Sequence, residues 1–98
     1  MRFLLLILPI LLAAACAHDL HGNFQSHISS AVGESIDAPH NWARQDRFLR
    51  AIELPGGNIE NEYKLRDSCR YFYEYEPSSR VIVGWRYEGQ EADCSIAP

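Results

Sequence analysis

The sequence predicts a small α+β domain in which two N-terminal helices cover one face of a four-stranded antiparallel meander. Three observations predict it. Apolar residues between positions 20 and 32 recur at helical spacing, and a second short helical signal follows at 35–45. After Gln45 the period changes to two, in four runs at 47–54, 59–65, 69–76 and 80–87. "PGGN" (55–58), "RDS" (66–68) and "PSS" (77–79) separate those runs with turn residues.

The first helix places Leu20, Phe24, Ile28, Ala31 and Val32 on one face, and Gly33 fits its C-terminal end. In "SIDAPHNWARQ" Ser35 or Asp37 offers a cap, Pro39 suits the first turn, and Trp42 is the core residue of a second helix.

A meander makes the strand faces calculable. Around 77–79, Cys69 falls opposite Tyr87, Tyr71 opposite Trp85 and Tyr73 opposite Val83. Around 66–68, Tyr71 meets Tyr63 and Cys69 meets Leu65. The four-residue loop 55–58 flips parity, which puts Phe48, Ile52 and Leu54 on the tyrosine face with Ile59, Tyr63, Leu65, Tyr75 and Val81. The other face carries Glu60, Glu62, Lys64, Arg70, Phe72, Glu74, Arg80 and Arg86. One apolar and one charged face describe a half-buried sheet, whose apolar side the helices cover. Gly84 falls opposite Phe72, whose ring then lies over a strand glycine.

The front of the chain has a different character. "MRFLLLILPILLAAAC" carries one charge, Arg2, and then thirteen apolar residues, Phe3 to Ala15. As a helix these span about 20 Å, short of a hydrocarbon core of roughly 30 Å. A short apolar run ending in small residues reads as a cleaved export signal, residues 1–15. Residues 16–22 then form a tether and 23–98 a single domain. Ala13-Ala14-Ala15-Cys16 resembles the lipobox of bacterial lipoprotein precursors, with Leu12 four rather than three positions before the cysteine. The resemblance implies that Cys16 becomes the lipid-bearing first residue. Ala17, where retained lipoproteins carry Asp, implies the periplasmic face of the outer membrane.

Three cysteines leave one unpaired in an oxidising compartment. With Cys16 lipidated, Cys69 and Cys94 remain as one pair. The register puts the end of the last strand beside Cys69, and Gly89 permits the turn that brings Cys94 back. Closing a loop of that length contributes roughly 3–4 kcal/mol in the chain-entropy model.

Composition excludes several function classes. The chain has 98 residues and a net charge of −4, and without residues 1–15 it has 8 basic against 13 acidic residues, which is no footprint for nucleic acid. His18, His21, His27 and His40 do not form a metal-ligand set, and no cofactor is implied. The serines around His27 lack a nucleophile-elbow pattern, and the glutamates of the charged face lack a pocket to separate their pKa values. "PGGN" joins two strands, so it cradles no phosphate. No enzyme and no small-molecule substrate are expected. The remaining surface feature is a cationic row, Lys64, Arg70 and Arg86, with Phe72 beside it, which reads as a partner-binding patch on the exposed sheet face.

The segments "VGESID", "ELPGGNIENEY", "CRYFYEYEP", "VIVGWRYEG" and "DCSIAP" resemble a group of small proteobacterial lipoproteins with no assigned activity. More distantly, the element order, the length, the lipobox and "VGESID" before a strand are similar to the small lipoprotein subunit of the outer-membrane β-barrel assembly machine (the SmpA/OmlA type). These resemblances imply a lipid-anchored interaction or scaffold module with an envelope protein as partner. The alternative is an inhibitor of an envelope-attacking hydrolase such as lysozyme. Both use a small, rigid, disulfide-tied surface.

Overall fold

The structure is a computed structural model that describes residues 19–38 and 46–97. It contains one helix, α1 (Leu20–Ser29), and four strands, β1 (Arg47–Glu53), β2 (Ile59–Arg66), β3 (Cys69–Tyr75) and β4 (Ile82–Glu88). The strands form one antiparallel sheet in the order β1-β2-β3-β4. The meander therefore has the expected connectivity.

The helical cover differs from the expectation. Among the described residues there is one helix of ten residues, so the domain is mostly β rather than two helices over a sheet. Ser35 does not begin a helix. It forms an isolated antiparallel bridge with Val81, and the Ile36 amide donates to the Arg80 carbonyl at 2.8 Å. Gly33 and Glu34 extend the pairing through Gly33 N to Ile82 O and Ile82 N to Glu34 O. The physical reason is the glycine: Gly33, at φ +94°, turns the chain straight from α1 onto the edge of β4. There Ile36 is buried and the amides find ladder partners. Pro39 and Trp42, and the helix expected around them, lie outside the described residues, as do Cys16 and the segment 1–15.

α1 begins earlier than the expected tether boundary. Asp19 is its N-cap, with its carboxylate accepting from the Gly22 amide at 3.0 Å. Leu20, His21 and Gly22, expected in the tether, thus form its first turn. The helix buries Phe24 and Ile28 against the sheet, while Ala31 comes in the turn beyond it. Val32, expected on the same face, is exposed because the helix has already ended.

β-Bulges set the register. Between β1 and β2, Phe48 pairs with Tyr63, but Arg50 pairs with Glu62 and Ile52 with Glu60, so the shift falls at Leu49. Between β2 and β3, Tyr63 meets Tyr71 as expected, and the shift at Leu65 pairs Arg66 rather than Leu65 with Cys69. Between β3 and β4, Tyr71 meets Tyr87, Tyr73 meets Trp85, and Gly84 lies opposite Glu74 rather than Phe72. A further shift beside Tyr75 pairs it with Ile82. Each extra residue reverses the facing of the strand residues beyond it. Ile82 is fully buried while Val83, expected inside, is exposed, and Ile52 and Leu54 lie half-buried on the charged side.

The core is an aromatic cluster roofed by α1. Phe24 meets Tyr71, Trp85 and Tyr87 edge-on at ring-centroid distances of 6.3, 6.5 and 5.7 Å. Tyr63 stacks on Tyr71 at 5.3 Å. Such contacts add about 0.5–1.5 kcal/mol each beyond the area they bury. The buried hydroxyls are satisfied: Tyr73 donates to the Ile28 carbonyl at 2.7 Å and Tyr71 to Asp46 at 2.5 Å. Burial raises both phenol pKa values, and the Asp46 carboxylate raises that of Tyr71 further. Burial also raises the Asp46 pKa, against the opposing effects of the Tyr71 hydrogen bond and Arg66.

Candidate functional site

The expected patch sits where strand alternation puts it, on the sheet face away from α1. Its chemistry is different. Phe72 is only 2 % exposed. The Arg86 guanidinium lies over its ring, 3.7 Å from the centroid, and Glu62 and Arg86 are its cross-strand neighbours. Phe72 is therefore a packed residue of a second, minor core and not an exposed anchor.

The arginines beside it are neutralised by an alternating ladder. Arg50 Nε donates to Glu62 at 2.7 Å, and Arg70 Nη1 donates to the other Glu62 oxygen at 3.1 Å. Arg70 also reaches Glu88 at 3.1 Å, and Glu88 accepts from Arg86 at 2.8 Å. Arg86 completes the chain by a bidentate pair with Glu60, at 3.0 and 2.9 Å. Three guanidinium groups thus meet three carboxylates. The partners raise the Arg86 pKa and lower that of Glu88.

Burial in the ladder is uneven. Glu62 is 1 % exposed, whereas most of the Arg50 side chain remains in water. The arginines and Glu88 stay partly in water, while Glu60 and Glu62 give up most of their hydration. Bidentate arginine is suited to this geometry. Lys64, the fourth expected member, pairs with Arg47 and Arg70 in the strand register and has no ion pair among the described residues. The structure thus brings Lys64, Arg70, Phe72 and Arg86 together, but of these only Lys64 keeps an uncompensated charge among the described residues. The sequence holds the signal for this: Glu60, Glu62 and Glu88 are the right type to saturate the arginines of the same face.

Cys69 and Cys94 form a disulfide, with Cα atoms 5.1 Å apart, and both cysteines are fully buried. The return of the chain depends on Gly89. It has φ +120°, and a Cβ there would stand 2.3 Å from the Ser68 carbonyl oxygen. Asp93 accepts from the Ser68 hydroxyl, and the Gln90 amide donates to the same hydroxyl, which fixes the tail against the β2–β3 turn.

Sequence reasoning missed the role of His21. Its ring bridges α1 to this tail. The Cys94 carbonyl, 2.6 Å from Nδ1, can only accept, so Nδ1 carries the proton. In the neutral ring Nε2 then accepts from the Tyr87 hydroxyl at 3.2 Å, with a Glu91 oxygen 3.5 Å away. The Ile96 amide donates to the Leu20 carbonyl beside it. A cavity of about 340 Å³, lined by Leu20, His21, Glu91, Ala92 and Ser95, opens next to this clasp. Asp19 in an N-cap position is the sequence signal for a helix that includes His21.

Among the described residues no helix is long and apolar enough to cross a membrane. Comparison with family models, with curated proteins and with solved structures finds no match for the chain.

Proposed function

We propose that the chain is an envelope lipoprotein, anchored through Cys16 on the periplasmic face of the outer membrane, that serves as an interaction or scaffold module. The observation that carries this reading is the use of the cysteines. Cys69 and Cys94 are bonded to each other, which leaves Cys16 alone, directly after a short apolar run ending in three alanines. A disulfide belongs to an oxidising compartment, where a third, free thiol is a liability and an acylated one is an anchor. The rest of the molecule supports a binding role: Arg50, Arg70 and Arg86 of the charged sheet face are fixed by ion pairs, and the tail is pinned at several points. A rigid, pre-organised module suits a scaffold, because little freedom is lost when it binds.

Fractionation tests the anchor. The natural chain should accompany the outer membrane through a density gradient, and a Cys16→Ser variant should lose that position. Capture of the lipidated protein from detergent-solubilised envelope tests the role. Recovery of a defined envelope protein complex supports the module. Recovery of a secreted hydrolase in inactive form would replace the scaffold reading by that of an inhibitor. A Cys16→Ser chain that fractionates unchanged would overturn the anchor.

A further inference from the structure

The ladder accounts for many of the cations of the domain, and those it leaves are gathered in one place. Among the described residues there are seven lysines and arginines. Arg50, Arg70 and Arg86 belong to the ladder, and Arg80 pairs with Asp37. Arg47, Lys64 and Arg66 make no ion pair among the described residues, and Arg66 acts on Asp46 only from beyond ion-pair distance. Arg47 and Lys64 are cross-strand partners, and Arg66 is two residues further along β2, past the bulge. Phe48, 53 % exposed, and Leu49, 36 % exposed, stand next to them on β1. β1 is the outer strand of the sheet. Arg47 and Lys64 point to the ladder face, whereas Phe48, against Tyr63, and Arg66, opposite Cys69, point to the α1 face, so the rim of the β1–β2 corner carries cations on both sides of the sheet beside exposed apolar side chains.

This corner lies at the end where the chain enters the domain. β1 starts, β2 ends, β3 starts and β4 ends there. The first turn of α1 is held at the same end by the His21 contacts to Tyr87 and Cys94. The opposite end carries Glu53, Glu74 and Glu76 around the 54–58 and 76–81 turns. Acidic groups also occur at the entry end, but mainly across the sheet: Glu91 and Asp93 lie on the tail beside β4, Glu88 is paired within the ladder, Asp67 occupies the β2–β3 turn, and Asp46 is turned inward to Tyr71. The two corners of the entry end therefore differ in sign.

We infer that the corner of Arg47, Lys64 and Arg66, with Phe48 and Leu49, rests on the phosphate headgroups of an anionic lipid surface. The inference rests on the proposed function in one respect, that the anchor at Cys16 keeps the domain close to a bilayer. Charge complementarity selects the occupant: phosphate groups meet the three cations, and the aromatic and aliphatic side chains enter the interfacial layer. The net negative chain is repelled overall, so the surface acts by orientation. The β1–β2 corner faces the lipid and the tail with Glu91 and Asp93 tilts away. Contacts of this kind decay within a Debye length of about 8–10 Å at ordinary salt.

The test uses the full chain in nanodiscs that contain gadolinium-bearing lipid, read by amide relaxation enhancement. In discs of phosphatidylglycerol and phosphatidylcholine, residues 47–49 and 64–66 should relax several-fold faster than 56–57 and faster than 91–93. The contrast should fall in pure phosphatidylcholine, at raised salt, and in the Arg47→Glu/Lys64→Glu/Arg66→Glu variant. The unprocessed chain, which still has the apolar residues 3–15 to enter the disc, gives the same readout without acylation, so failure of the acylation reading leaves this contrast intact. Equal enhancement at both corners, enhancement centred on 91–93, or an unchanged contrast in the triple variant would overturn the inference. So would shifts of the same amides by heparin without any contrast on discs, which would assign the corner to an anionic polysaccharide.

Discussion

Replacing Phe72 by alanine separates a structural aromatic from a binding one. The ring is 2 % exposed and lies under the Arg86 guanidinium at 3.7 Å. Truncating a buried phenylalanine costs about 3–5 kcal/mol. The lost cation–π contact contributes up to about 1 kcal/mol of this, because Arg86 remains half in water. The lower end of the range is the better expectation, since the flexible arginines can settle into the space. A loss of about 3 kcal/mol is a large share of the roughly 5–15 kcal/mol typical of a domain. At roughly 4–8 °C per kcal/mol it lowers Tm by about 12–24 °C. The assay is thermal unfolding read by near-ultraviolet circular dichroism on oxidised protein, with Phe72→Leu as comparator. The leucine variant should lose less than half as much, because it refills most of the volume. A Phe72→Ala protein within about 1 kcal/mol of the natural one would refute the reasoning, and would return Phe72 to the exposed role that strand alternation alone assigns it.

Three further outcomes rest on the same geometry. Gly89→Ala should destabilise by more than about 2 kcal/mol and release the tail, seen as faster amide exchange at 90–96, because its Cβ would meet the Ser68 backbone at 2.3 Å and its φ is +120°; normal protection there would contradict the close approach. Cys69→Ser should cost about 2–5 kcal/mol in urea unfolding, and a smaller loss would mean that the tail contacts alone suffice. The Asp46 carboxyl should titrate above the ordinary aspartate range by carbon-detected NMR, and Tyr71→Phe should raise it further, because that hydrogen bond favours the charged form. With the folded pKa raised, the contribution of Asp46 to stability is fully present below the unfolded value and is lost as pH rises through the folded one. A fall on Tyr71→Phe would show that the hydroxyl does not donate to the carboxylate.

Alternation and turn chemistry make the sheet legible. "PGGN" places Gly56 and Gly57 at φ +98° and +99°, and Asp67 takes φ +44° in the β2–β3 turn, conformations that these residue types tolerate. What strict alternation cannot show is the bulges. Leu49, Leu65 and Val83 each add one to a strand, and nothing in their side chains distinguishes them from ladder residues. That is why alternation puts Ile52 and Val83 on the wrong face. Local capping residues predict the second helix, but Ser35 gains more from the open edge of β4, a partner remote in sequence. For Phe72 alternation gives the correct face and the wrong exposure. It predicts where a side chain points, whereas the cover comes from Arg86 on the neighbouring strand. The disulfide is legible because it needs only the meander and a glycine, both of which tolerate a shift in register.

The anchor is the claim on which the functional account turns, and mass spectrometry of the N-terminal peptide tests it most directly. Protein taken from the membrane fraction should begin at Cys16, with acyl chains adding their mass to that residue and residues 1–15 absent, while Cys69 and Cys94 appear as one linked peptide. A chain that begins at Met1, or a mature Cys16 carrying no lipid in the soluble periplasm, would contradict it.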